Sequence, residues 1–217
     1  MATALTIWGR ASSANVQKIL WALEELGLDH DHILVGGAHG GLDSPDYRAL
    51  NPNGLVSTLR DGDLVIWESH AILRYLASRY GGNSLWRADP VARAVVDQWT
   101  DWTATTFQPA WITLFWQSVR TPADQKDMRA IAESHARTIA ALRILDGTLT
   151  DRDYLADDRL SYADIAAGVA LYRWFTMDIE RPAMPGVENW YLRLQQRPGF
   201  RQAVMVSYAE LVGRLAY

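Results

Sequence analysis

Asn51-Pro52-Asn53-Gly54-Leu55-Val56-Ser57-Thr58-Leu59-Arg60-Asp61-Gly62-Asp63-Leu64-Val65-Ile66-Trp67-Glu68-Ser69-His70-Ala71-Ile72-Leu73 reads as turn, strand, tight turn, strand and helix. Pro52 fixes φ and Asn53-Gly54 tolerates positive φ, so the stretch opens on a turn. Asp61-Gly62 between two apolar runs signals a hairpin. The second strand, 64–67, meets Glu68-Ser69, and beyond it Ala71, Ile72, Tyr75 and Leu76 fall at helical spacing. Ser69 is the expected N-cap of that helix, whose free N–H groups and dipole attract anions. A ligand carboxylate suits this corner. Glu68 beside it suits an ammonium group, so the pair suits the α-amino-acid end of a ligand.

Working outward, 5–8 reads as a short strand running into Gly9-Arg10-Ala11-Ser12-Ser13-Ala14-Asn15. From Val16 the apolar residues Ile19, Leu20, Leu23 and Leu26 keep a helical period that stops at Gly27, with Ser12 or Ser13 as its cap. A second strand is expected over 32–35, parallel to the first through a right-handed crossover. A short helix over 45–50 leads back to the opening stretch. The order β-α-β-α-β-β-α is that of a thioredoxin-like domain, placed over residues 1–81. Gly81-Gly82-Asn83-Ser84 ends it as a helix stop and linker.

An all-helical domain is expected over 88–217. Asp89-Pro90 is an N-cap with Pro at the first helical position. Thr121-Pro122, with Asp124 behind it, repeats that signal for a helix running towards Gly147. Ser161-Tyr162-Ala163-Asp164 is a capping box with Asp in place of Glu, and Pro185 and Pro198 open two last helices.

The stretch quoted first resembles the glutathione-binding half of the cytosolic glutathione transferase family, and the resemblance extends over nearly the whole chain. The family pattern is Asn-Pro-x-Gly-x-Val-Pro-x-Leu, a hairpin, then Glu-Ser before an apolar helix. Ser57 is the one departure, standing where the family carries a cis-proline, and the intact frame around it implies a retained cis bond. A bacterial member of theta/delta-like or nu-like type is implied.

The resemblance further implies a thioredoxin-like N-terminal domain, glutathione as co-substrate, a homodimer and an apolar electrophile as second substrate. By theta/delta-like alignment Ser12 donates a hydrogen bond to the glutathione sulfur. By the alternative alignment, with Lys18 matching, Ser13 and Asn15 take that role. Glu68 and Ser69 would hold the γ-glutamyl end, Val56 and Ser57 the cysteinyl part, and His39 and Arg10 the glycyl carboxylate. Trp111, Phe115 and Trp116 would line the electrophile's pocket. A donor at a helix N-terminus stabilises thiolate over thiol and lowers its pKa from ~8.5. The alternatives are glutathione-dependent peroxide or disulfide reduction, or a non-catalytic dimer that binds an apolar ligand or a partner.

Composition narrows these classes. The 217 residues contain no Cys, so any thiol chemistry uses a thiol brought by a ligand. That sets aside the glutaredoxin-like members. A net charge of −4 without a basic run argues against a nucleic-acid footprint. No apolar run reaches membrane-spanning length, so a cytoplasmic, non-membrane protein is expected, with detoxification as the role the family implies. No His, Asp or Glu grouping has metal-ligand spacing. Ten Trp residues are read first as core and interface.

Overall fold

The computed structural model describes residues 5–215. Four strands form one mixed sheet: β1 (Leu5–Trp8), β2 (His30–Ile33), β3 (Thr58–Asp61) and β4 (Leu64–Trp67), in the order β2-β1-β3-β4. β1 pairs parallel with β2 and antiparallel with β3. Helices α1 (Ala14–Leu26), α2 (Pro45–Leu50) and α3 (Ser69–Tyr80) interleave with the strands. The rest is helical: α4 (Pro90–Trp102), α5 (Gln108–Phe115), α6 (Met128–Thr148), α7 (Tyr162–Thr176), α8 (Pro185–Gln195) and α9 (Pro198–Ala203). This is a thioredoxin-like sheet followed by a helical region, as the patterning implies.

Three local expectations differ. β2 begins two residues earlier than 32–35, because this edge strand alternates half-buried and exposed positions in His30-Asp31-His32-Ile33 and has no apolar run to mark it. The helix expected after Thr121-Pro122 starts later. Thr121 instead closes a π-helical turn, its N–H reaching the Trp116 carbonyl at 2.8 Å, and Asp127 caps α6 by accepting from Arg129 N and Ala130 N. Ser69 is not the cap of α3. Glu68 occupies that position, and the Ser69 hydroxyl turns to other side chains. The Asp89 cap, the Ser161–Asp164 box and the two Pro-led helices stand as read.

The sheet region and the helical region meet across α1 and α7. Trp21 is fully buried, packs edge-on to Phe200 with ring centres 4.9 Å apart, and donates to Glu25 at 2.8 Å. Glu25 in turn receives a bidentate pair from Arg197 at 2.8 and 2.6 Å. Gly168 permits this closeness, since a Cβ there would stand 2.8 Å from Leu194 Cδ1 and 3.2 Å from the Trp21 ring. The segment after α3 is anchored by Arg87, buried and bidentate to Asp157 at 2.7 and 2.9 Å. Asp157 therefore has a structural partner that lies 70 residues away and is invisible to local pattern.

Candidate functional site

The loop that joins α2 to β3 is held from inside. The Leu55 carbonyl accepts from Tyr47 Oη at 2.7 Å and Asn51 Nδ2 at 2.8 Å, and both side chains also reach Thr58 Oγ1. These bonds fix the segment that carries Val56 and Ser57, whose shared peptide bond is cis. Ser57 is buried and its hydroxyl has no partner. Val56 packs over Gly9, where a Cβ would meet Val16 Cγ2 at 2.3 Å and Val56 Cβ at 3.1 Å, so the chain leaving β1 approaches the loop only as glycine.

Beyond β4, Glu68 has φ 73°, the one positive φ among the described non-glycine residues. Its side chain is exposed. A non-glycine residue in this region is an uncommon and strained conformation that structures retain mostly at ligand sites and switches. The Glu68 backbone projects the acid at the mouth of α3, one residue before the buried Ser69.

Ser69 belongs to a network centred on Lys18, a residue of α1 with no solvent exposure. Lys18 Nζ contacts Asn15 Oδ1 at 3.2 Å, Ser69 Oγ at 3.3 Å, His70 Nε2 at 2.9 Å and Gln108 Oε1 at 2.5 Å. Ser69 Oγ also donates to Asn15 Oδ1 at 3.3 Å. α1, α3 and α5 are thus tied by one buried amine. Burial lowers the Lys18 pKa to about 7, and the Glu68 charge opposes part of that. His70 is kept neutral by burial first, then by the Lys18 and Arg74 charges.

The sign of the resulting pH dependence is set by proton counting. Between about pH 7 and 10.5 the unfolded chain holds a proton on Lys18 that the folded chain has released. Stability from this residue therefore rises with pH across that window. Denaturant midpoints at pH 6.5 and 9 are expected to show wild type gaining on Lys18→Met as pH rises. A difference that stays constant, or shrinks with pH, would refute the assignment.

Ser12 and Ser13 precede α1. Ser13 is its N-cap residue by backbone conformation, φ −80° and ψ 124°, yet its hydroxyl makes no capping bond. Ser12 Oγ is buried without a partner, and the Ser12 carbonyl accepts from Arg173 Nη2 at 2.6 Å. Both serines line a cavity of about 110 Å³ with Asn15, Gln108, Trp111 and Phe115. Trp116 and Arg10 line it too. Asn15 spends its Oδ1 on Lys18, Ser69 and Gln108, which leaves its amide donors uncommitted.

The structure thus brings Ser12, Ser13, Asn15, Arg10, Trp111, Phe115 and Trp116 to one cavity. Trp111 and Phe115 are at once core and lining, at 4% and 2% exposure. His39 does not join them. It sits exposed on the short turn Gly37–His39, while Arg10 packs beneath that turn against Gly36 and Gly37.

A family model described as glutathione S-transferase, N-terminal domain, matches residues 12–79, and one described as glutathione S-transferase, C-terminal domain, matches 103–198. Glutathione S-transferase GstB of Escherichia coli (strain K12) is 39% identical over 204 residues, covering 93% of this chain and 98% of its own. The chain belongs to the glutathione S-transferase family. Glutathione S-transferase 3 of Zea mays is 34% identical over 211 residues, 92% of this chain and 93% of that protein. Among solved structures, the theta class glutathione S-transferase of Xanthomonas axonopodis pv. citri with glutathione bound superposes with a TM-score of 0.91. It is 46% identical and covers 95% of this chain and 99% of its own.

Sequence reasoning about this glutathione S-transferase missed three groups at the cavity: Gln108, Arg120 and Arg173. It noted Lys18 without seeing it as the centre of a network. Arg173 had one legible signal, a lone cation in a helix whose residues 162–171 are all buried. Gln108 and Arg120 had none, because their elements reach the site only through packing of α5 and the π-helical turn 116–120.

Proposed function

We propose that this glutathione S-transferase binds glutathione along Val56–Ser57 and Glu68–Ser69 and activates its thiol at the N-terminus of α1. The helical cavity wall then presents an electrophile, its apolar body against Trp111, Phe115 and Trp116. The observation that carries this reading is Ser13: it stands at the N-cap, its hydroxyl is not spent on capping, and it lines the cavity. A free hydroxyl and the open N–H groups of the first turn together favour a thiolate at that point. Asn15, with uncommitted amide donors, supports the same anion.

The γ-glutamyl corner has its own support. Glu68 holds a strained backbone conformation at the helix mouth, and Ser69 is backed by the buried Lys18 amine. The glycyl carboxylate is assigned to Arg10, with His39 on the adjoining turn. In this reading the two units divide between 81 and 88, the protein is a cytoplasmic homodimer, and its role is detoxification.

Retention on immobilised glutathione with elution by free glutathione tests the binding step. An ultraviolet thiolate band from bound glutathione tests activation: it should vanish in Ser13→Ala and persist in Ser12→Ala. A protein that ignores the resin and turns over no aryl halide is not a glutathione transferase. Sedimentation as a monomer at micromolar concentration would refute the dimer.

A further inference from the structure

The helical wall of the cavity carries charge for which an apolar electrophile has no use. Arg173, near the C-terminal end of α7, is 3% exposed and lines the cavity. Its Nη2 donates to the Ser12 carbonyl, whereas its Nε and Nη1 are buried and have no hydrogen-bond partner. No carboxylate of the described residues forms an ion pair with it. Its other neighbours are aromatic: the guanidinium carbon lies 4.9 Å from the Phe115 ring centre and 5.8 Å from that of Trp111.

Two further guanidinium groups line the same cavity, Arg10 from the loop after β1 and Arg120 from the π-helical turn. Both are buried, at 6% and 2% exposure. Burial, with the Arg10 and Arg120 charges adding to it, lowers the Arg173 pKa to about 10. It stays a cation at neutral pH. A buried cation with open donors is costly unless an acceptor meets it, and a charge-assisted bond to an anion is the strongest offset available. Guanidinium donors match carboxylate and sulfonate oxygens in geometry.

We infer that the electrophilic co-substrate carries an anionic group, a carboxylate or sulfonate, which Arg173 receives while a small ring lies against Trp111, Phe115 and Trp116. This rests on the glutathione transfer proposed for the same cavity and adds the class of co-substrate. The cavity of about 110 Å³ favours a small molecule, since drug-sized ligands occupy ~300 Å³ or more. Glutathione's own carboxylates are assigned to other groups, the Glu68–Ser69 corner and, at the cavity's edge, Arg10, which leaves Arg173 for the co-substrate. With a chloronitroarene, the thiolate sulfur forms a C–S bond to the ring carbon bearing chlorine, and the C–Cl bond breaks. Chloride leaves with the bonding pair, the thiol proton goes to solvent, and no oxidant or reductant is needed.

The test uses two substrates of closely similar shape, the anionic 4-chloro-3-nitrobenzoate and the neutral 4-chloro-3-nitrobenzamide, each rate divided by its uncatalysed rate because the two para groups activate the ring differently. Wild type is expected to favour the benzoate in kcat/KM by about tenfold or more. Arg173→Gln should lose that preference, with benzamide turnover held within about threefold and affinity for S-methylglutathione unchanged. Equal losses on both substrates, a preference for the benzamide, or weakened S-methylglutathione binding would each overturn the inference. Should Arg173→Gln not fold, inhibition of wild type by 3-nitrobenzoate against 3-nitrobenzamide decides: the anion must bind more tightly, and equal or weaker binding of the anion would overturn the inference. Turnover of the benzamide without preference for the benzoate refutes this inference alone. No turnover of either, with no retention on glutathione resin, refutes the transferase reading itself.

Discussion

Asp164→Ala is expected to lower stability by about 3–5 kcal/mol, because two buried backbone N–H groups lose their acceptor at about 1–3 kcal/mol each and a buried hydroxyl loses another. Asp164 has no solvent exposure. Its Oδ1 accepts from Leu155 N at 2.8 Å, and its Oδ2 from Ser161 N at 2.9 Å and Ser161 Oγ at 2.8 Å. One carboxylate therefore caps α7 and pins the loop that precedes it. α7 is buried along most of its length and packs against α1, α4 and α5, so its loss disturbs both regions of the molecule.

Burial raises the Asp164 pKa to about 6, and the three accepted hydrogen bonds oppose it only in part. A raised carboxylate pKa means that the folded state holds the proton more tightly between about pH 4 and 6. The contribution is therefore fully present below the unfolded value and is lost as pH rises through about 6. Asp164→Asn retains one acceptor oxygen and does not titrate. It should be milder than Asp164→Ala, and its deficit against wild type should be larger at pH 4 than at pH 7. Urea melts of the three proteins at both pH values check this. A deficit for Asp164→Asn that grows with pH would show the sign to be wrong.

Ser13→Ala carries the largest expected effect on catalysis. Removing one preorganised donor to a developing or resident anion costs about 10²–10³-fold in kcat, and the same loss is expected here in kcat/KM for an aryl halide. The acid limb of its pH–rate profile should move upward, since the bound thiol then ionises at higher pH. Stability separates this from a helix cap. Ser→Ala at a working N-cap costs about 0.5–2 kcal/mol, but the Ser13 hydroxyl makes no capping bond, so the melting midpoint should hardly move. Ser12→Ala should leave kcat/KM within about threefold. The reverse pattern, with Ser12 sensitive and Ser13 tolerant, would assign the donor to Ser12.

Much of this protein was legible before any coordinates. Asn51-Pro52-Asn53-Gly54, Asp61-Gly62 as the hairpin signal, Asp89-Pro90 and the Ser161–Asp164 box all act over a few residues, through φ restriction and side-chain acceptors for open N–H groups. Local rules therefore read them correctly. The same rules misplaced the cap of α3, because Ser69 exchanges a local bond for Lys18 and Asn15, which lie more than 50 residues away in sequence. They misjudged the start of α6 for a related reason: the π-helical turn 116–120 carries the preceding helix up to Thr121, so Thr121-Pro122 marks the end of that helix and not the start of the next.

The site divides along the same line. Sequence by itself determined the sheet-and-helix order and the serine loop before α1, since each follows from contiguous residues. The Glu68-Ser69 corner was legible as a pair of residues but not in its backbone conformation or its cap. Only the tertiary structure decided that Lys18 would be a buried amine joining three helices, and that the Ser13 hydroxyl would be free. It alone set Arg10, Arg120 and Arg173 around one cavity. Burial and the meeting of distant charges are properties of the packed chain. They arise where α1, α5 and α7 converge, and no stretch of sequence contains them.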